Sequence, residues 1–324
     1  MNKHSSIKSS GSLLERASEL YDFGAALRTG GVPIVPAELA EMVTPVAASV
    51  IVPPVVAPVV AAPSSVPSQP AMRPQTPRLN GRTATINRDR LRGLNFIDPD
   101  GPVTGLSEEF RIVKRQLLLS ARGGKGMEAL PHGERILVCS AHPNEGKTFC
   151  AINLALSMAS EKDNRVLLVD ADFAKPSVLK TLGIENSPGF MDALADNSVD
   201  AESFIIETDV VGLSVLPAGA QTNQDTEYLA AARTAEIIDQ LSRNDPSRII
   251  IFDSPPALAA SPASVLALHV GQTLMVVHAD VTTDSALRDA LNLLSGCDHV
   301  QLLLNRAKFS PTGRKFGNYY GYGA

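Results

Sequence analysis

The chain has 324 residues, 44% of them hydrophobic and 19% charged, which is enough for one α/β domain of ordinary size with additional segments. A formal net charge of −5 argues against a nucleic-acid binder whose surface is basic throughout, and no tryptophan with 5% aromatic residues leaves few stacking platforms. The three cysteines, Cys139, Cys150 and Cys297, stand in apolar or helical contexts without metal-ligand spacing, and read as small core residues of a protein in a reducing cytosol.

No apolar secretory segment follows Met1-Asn-Lys-His4, so no signal peptide is expected. Ser12 and Glu15 make a capping-box pair, and Leu13, Ala17, Leu20, Gly24 and Leu27 recur at helical spacing. This predicts a short amphipathic helix over 13–28, the main feature of a segment 1–29. So short a helix is marginal alone, which suits a docking peptide as well as a packed helix. From Gly30 to Pro77 the composition is Pro, Ala, Val and Ser with few charges, and a disordered tether is expected over 30–85. Val46–Ala62 is apolar and about 17 residues long, the short limit for a bilayer span. Pro53, Pro54 and Pro58 break it as a helix, so it reads as linker. Arg78, Arg82, Arg88, Arg90 and Arg92 make the approach to the next segment locally basic, a solvated stretch before a lipid-binding patch.

A helix is expected from Ser107, with Phe110, Val113, Leu117 and Leu118 as its apolar stripe. Glu108, Arg111 and Lys114 lie three apart on the other face, where they can meet a neighbouring subunit or form ordinary intrahelical pairs. The apolar run Ile136–Cys139 then reads as a buried strand, broken by Ser140 to Glu145 before an alanine-rich helix from Gly146. Strand, tight loop and Gly-Lys-Thr at a helix start form a P-loop arrangement. First-turn amides without internal partners point at a phosphate. Gly146 permits close backbone approach, Lys147 reaches β- and γ-phosphates, and Thr148 offers its hydroxyl to Mg²⁺. The first loop position, usually glycine, is Ala141.

Strands are predicted at Ile136–Cys139, Val166–Val169, Leu213–Leu216, Ile249–Phe252, Thr273–Val277 and Gln301–Leu304, with helices at Lys147–Ser160, Ser177–Leu182, Thr226–Ser242 and Asp284–Leu294. Short, continuous apolar strands separated by helices indicate an α/β fold of the P-loop NTPase kind, a parallel sheet covered on both faces, here spanning 86–305. Ligands of such sheets sit at the carboxyl ends of the strands. There the sequence places Asp170 and Asp172 after one strand and Asp253 after another. Mg²⁺ on a triphosphate takes one or two carboxylates, which leaves one acid as a base.

Ser140-Ala-His-Pro-Asn-Glu-Gly-Lys-Thr148, Leu167-Leu-Val-Asp-Ala-Asp-Phe-Ala-Lys-Pro176 and Ile249-Ile-Ile-Phe-Asp-Ser-Pro-Pro256 resemble the Walker A, Walker A′ and Walker B motifs of bacterial tyrosine kinases. Within that family the chain is most similar to the cytoplasmic tyrosine autokinases of exopolysaccharide and PEP-CTERM/exosortase loci, over residues 12–28 and about 86–324. The resemblance implies ATP and Mg²⁺ as cofactors. Asn144, Glu145, Gly146, Lys147 and Thr148 would form the nucleotide loop, with Lys147 also catalytic. One of Asp170 and Asp172 would position or deprotonate a tyrosine hydroxyl, Thr148, Asp172 and Asp253 would hold Mg²⁺, and Asn305 matches an adenine-recognising asparagine. Glu108, Arg111 and Lys114 resemble a Glu-x-x-Arg-x-x-Arg motif of a ring-shaped homo-oligomer, with Lys for the last Arg. Asn144 stands where the family has glycine, and Ala174 where an arginine is common.

The resemblance further implies autophosphorylation within exopolysaccharide biosynthesis. It places the chain at the cytoplasmic face of the inner membrane, through an activator of the polysaccharide co-polymerase or chain-length-determinant type. The alternatives are a nucleotide switch like the partitioning and division-site ATPases, or a non-catalytic ATP-binding adaptor. His142 stands where the switch ATPases carry lysine. Residues 306–324 hold Arg306, Lys308, Arg314 and Lys315, no acidic residue, and Tyr319, Tyr320 and Tyr322 spaced by glycine and asparagine. They read as a flexible substrate arm.

Overall fold

The computed structural model describes residues 81–308, apart from Lys125. The helix expected over 13–28, the tether up to residue 80 and the tail tyrosines lie outside the described residues. The elements are β1 (Arg82–Ala84), α1 (Arg88–Gly93), α2 (Gly105–Arg122), β2 (Arg135–Ser140), α3 (Lys147–Ala159), β3 (Arg165–Asp170), α4 (Val178–Leu182) and α5 (Phe190–Ala195). They continue with β4 (Ile206–Thr208), β5 (Leu213–Leu216), α6 (Asp225–Ala230), α7 (Ala232–Asn244), β6 (Arg248–Asp253), α8 (Pro262–Ala267), β7 (Gln272–His278), α9 (Asp284–Leu293) and β8 (Val300–Asn305).

The strands form one sheet in the order β1-β4-β5-β3-β6-β2-β7-β8. The six runs expected as strands are all strands and all parallel, from β5 through to β8. Alternation within each run decides which face a side chain covers. Ile136 and Val138 of β2 pack under α3 with Leu154 and Met158, whereas Leu137 and Cys139 face Phe190 of α5 and Leu266 of α8. Both faces are closed, so these strands read as unbroken apolar runs. Truncating one such residue, Leu137→Ala, would cost about 2–5 kcal/mol.

Two strands depart from the expected parallel sheet. β4 pairs antiparallel with β5, and β1 pairs parallel with β4. β1 also corrects the tether boundary set at residue 85, because Arg82–Ala84 is ordered by pairing with Ile206–Thr208. Asp209 clasps the turn that follows, accepting from the Ile86 amide at 2.9 Å and from Arg88 Nη1 at 2.9 Å. No apolar run marks either short strand, so pairing alone makes them strands.

α2 begins two residues before the expected start. Thr104 is its cap, and the Thr104 and Ser107 side chains each bond the other's backbone amide, at 3.2 and 2.8 Å. The helix expected over 226–242 is two helices, parted at Ala231, whose ψ of 152° is extended. The order β3-β6-β2 at the sheet centre matters most for function. It sets Asp170 opposite Asp253 in register, with the β2 loop alongside.

Candidate nucleotide site

Past Ser140 the chain leaves β2 in a loop that needs left-handed backbone twice. Asn144 has φ 65° and Gly146 has φ 99°. Asparagine tolerates that region better than most residues, which lets Asn144 stand in place of glycine. Gly146 has a second reason to be glycine, since a Cβ there would fall 2.1 Å from Asn305 Nδ2. α3 starts directly after Gly146 and no side chain caps it. Its first-turn amides are therefore open to an anion.

Lys147 projects from this turn to Asp172, with Nζ 2.8 Å from Oδ2. Burial opposes its charge, but the nearby Asp253 and Asp172 outweigh that and raise the ammonium pKa. Asp172 Oδ1 accepts from the Lys175 amide at 3.1 Å. Asp170 is differently engaged. Its Oδ2 accepts from the amides of Ser177 and Val178 at 2.9 and 3.0 Å, and Oδ1 from that of Asp172 at 3.3 Å. Burial still dominates those three bonds and pushes its carboxyl up to about 6.

Asp253 is fully buried, and neither carboxylate oxygen has a hydrogen-bond partner among the described residues. Burial pushes it up to about 7, against the lowering charge of Lys147. The Thr148 hydroxyl also lowers it, without completing a bond of good geometry. A buried carboxylate with two spare oxygens next to Thr148 fits a cation. The described residues hold no ready-made cage of three or more His, Cys, Asp or Glu side chains. An ion shared with a nucleotide needs only one or two carboxylates.

Other residues singled out in the sequence are placed as follows. Glu145 stands in the middle of the expected nucleotide loop. Its side chain is only 2% exposed in its residue and turned inward, with Oε2 accepting from the His142 amide at 2.8 Å and Oε1 from the Thr282 hydroxyl. Asn305 lies over the loop, donating from Nδ2 to the Glu145 carbonyl at 2.8 Å and accepting the Arg306 amide at 2.9 Å. Lys114 corrects the expected outward charged face: the residue is 4% exposed. Its ammonium donates to the Ser157 carbonyl at 2.7 Å and pairs with Glu161 at 3.1 Å, so it closes the carboxyl end of α3 within its own chain. Glu108 and Arg111 pair with each other at 3.0 Å, and Arg111 stays exposed. Tyr319, Tyr320 and Tyr322 lie outside the described residues. Sequence reasoning missed Thr282 and Ser177, whose hydroxyl reaches Thr148 Oγ1 at 3.4 Å. A cavity of about 760 Å³ lined in part by Arg88, Arg111 and Lys162 contains neither the loop nor the three aspartates.

A central parallel strand feeding an uncapped helix through a Gly-Lys-Thr loop, with acids ending the adjacent strands, defines a P-loop nucleotide-binding domain. The chain belongs to the AAA-domain family, whose model matches residues 135–307, more than half its length. It is similar to the tyrosine-protein kinase wzc of Salmonella typhimurium, 30% identical over 190 residues that make up 58% of this chain and 26% of that protein. CapB of Staphylococcus aureus, whose kinase designation is provisional, is 26% identical over 69% of this chain and 93% of its own length. Of solved structures, the VpsO kinase domain aligns with a TM-score of 0.52 at 25% identity, covering 62% of this chain and 96% of that one. The chimeric protein CapA2B2 shares the fold, with a TM-score of 0.56 at 23% identity, over 70% of this chain and 94% of its own. The chain spans about a quarter of the length of the Salmonella kinase it matches.

Proposed function

We propose that the chain is an ATP-dependent protein-tyrosine autokinase, with Tyr319, Tyr320 and Tyr322 as phosphoacceptors. One observation carries this reading: the Lys147 ammonium sits with Asp172 at an open helix start, beside the unpartnered carboxylate of Asp253. The similarity to tyrosine-protein kinases supports it.

Phosphoryl transfer asks mainly for positioning and charge neutralisation. Mg²⁺ would be held by Thr148 and Asp253, with Asp172 beside them, and supplies neutralisation of the phosphate charge. Lys147 would turn from Asp172 to the β- and γ-phosphates. That exchange frees Asp172 Oδ2 to take the proton of a tyrosine hydroxyl, whose pKa near 10 makes it a poor nucleophile by itself. The tyrosine oxygen bonds to the γ-phosphorus as the bond from that phosphorus to the bridging oxygen breaks, leaving ADP. Asp170 is bound by three backbone amides and keeps the following turn in place instead. Asn305 is assigned to the adenine side of the site on the family resemblance.

The same resemblance supports a role in exopolysaccharide biosynthesis or export, ring-like self-association using Glu108 and Arg111, and a membrane activator of the polysaccharide co-polymerase type. That activator would bring the chain to the cytoplasmic face of the membrane. Among the described residues no helix is long and apolar enough to cross a membrane. Purified protein given Mg-ATP should gain phosphotyrosine, and Lys147→Met should lose both that signal and tight Mg-ATP binding. Unchanged ATP affinity in the lysine variant, measured by calorimetry, would sink the reading.

A further inference from the structure

The P-loop is bonded at its middle to the end of β8 and to the turn after β7, neither of which belongs to its own strand-turn-helix unit. Glu145 lies between the two left-handed residues Asn144 and Gly146, where the backbone has the fewest alternatives and the loop shape is decided. All three of its acceptor oxygens are used. The carbonyl takes the Asn305 amide group at 2.8 Å, at the end of β8. One carboxylate oxygen takes the His142 amide at 2.8 Å, closing the loop on itself. The other takes the hydroxyl of Thr282, in the turn after β7. The Thr282 oxygen in turn accepts the His278 amide at 2.9 Å, the last residue of β7. The chain of donors is therefore complete: His278 N–H to Thr282 Oγ1, Thr282 O–H to Glu145, His142 N–H to Glu145.

We infer that Glu145 and Thr282 are positioning residues, a strut that holds the phosphate loop in its binding shape from the ends of β7 and β8. The consequence for phosphate binding rests on the nucleotide reading above; the strut itself does not. The carboxylate is buried and fully engaged, so it acts on the loop backbone and makes no contact of its own with a phosphate. A negative side chain two residues before the phosphate-binding lysine would repel a triphosphate if it faced outward. Turned in and bonded, it holds the loop so that the amides of residues 144–146 keep their places instead. Loop amides preset in this way bind an anion without paying to order the loop first.

The discriminating pair is Thr282→Val, which keeps the shape and loses the hydroxyl, and Thr282→Ser, which keeps the hydroxyl. Glu145→Ala removes the other end of the strut. Hydrogen exchange on the nucleotide-free chain should show faster exchange across residues 141–146 in Thr282→Val and Glu145→Ala, with the β3 and β6 amides unchanged. Calorimetry with Mg-ADP should show roughly tenfold weaker binding in both, the scale expected when a buried polar group loses its partner. Thr282→Ser should stay within about twofold of the unaltered chain. Unchanged loop exchange in Thr282→Val overturns the inference, as does loosening spread evenly over the sheet or failure of serine to rescue. If the unaltered chain binds no Mg-ADP, the nucleotide reading falls while the exchange result still judges the strut.

Discussion

Asp170 and Asp253 end adjacent parallel strands in direct register, yet their surroundings treat them in opposite ways. Asp170 receives three backbone amides, whereas Asp253 receives none. Two carboxylates at matched positions of one sheet are thereby held differently, one by backbone amides and one with both oxygens left without a hydrogen bond among the described residues.

The first expectation concerns pH. The folded Asp253 carboxyl titrates at about 7, above its value in the unfolded chain, so the folded state holds the extra proton between those values. Its contribution to stability is present at low pH and is lost as pH rises toward and past 7. Without Mg²⁺ and nucleotide, Asp253→Asn should therefore be more stable than the unaltered chain at pH 8, by on the order of a few kcal/mol at most. The difference should shrink at pH 5. Paired melting curves at the two pH values check this, and an equal gap at both removes the argument.

Asp170→Ala should destabilise the fold by about 1–3 kcal/mol, because the Ser177 and Val178 amides lose their shared acceptor at the start of α4. Asp170→Asn keeps an acceptor oxygen and should recover part of the loss. Urea unfolding of the two variants separates them. If Asp170 were instead the proton acceptor, both would fold normally and lose turnover together.

Gly146→Ala should be costly for two independent reasons, the φ of 99° and the Asn305 amide 2.1 Å from the new methyl. A loss of more than about 1 kcal/mol is expected, together with weaker nucleotide binding. Adding Asn305→Gly removes the clash but not the backbone strain, so the double variant should regain only part of the stability. Full recovery would show that the backbone angle contributes nothing.

Replacing Tyr319, Tyr320 and Tyr322 with Phe should remove most phosphotyrosine while ATP affinity stays unchanged. Each phosphate adds about −1.5 to −2 charges to a segment with four basic residues, so two would nearly neutralise it and weaken its attraction to the acids of a neighbouring site. The expected readouts are loss of signal by mass spectrometry and a larger assembly by light scattering. Phosphate found mainly on Tyr228, which is partly buried against the core, would defeat the assignment.

Much of this was legible in the chain itself. Ile136–Cys139, Val166–Val169 and Ile249–Phe252 are buried on both faces, and that condition writes itself as an unbroken apolar run. Acids placed directly after such runs stand at the carboxyl edge of the sheet, so Asp170, Asp172 and Asp253 could be brought beside Lys147 before any coordinates. β1 and β4 carried no such mark. Three residues each, they are strands because β4 pairs with β5 and β1 pairs in turn with β4.

What the tertiary structure alone decided is how each polar group is used. Lys114 has the spacing of an outward-facing residue, yet its long stem lies against α3 and its ammonium caps that helix. Glu145 looks like a loop residue facing a ligand, and its carboxylate is instead met by Thr282, 137 positions away. Apolar patterning is local because burial on a strand or helix repeats with the element's own period. A hydrogen bond is satisfied by whichever donor the fold brings within about 3 Å, and sequence separation places no limit on where that donor comes from.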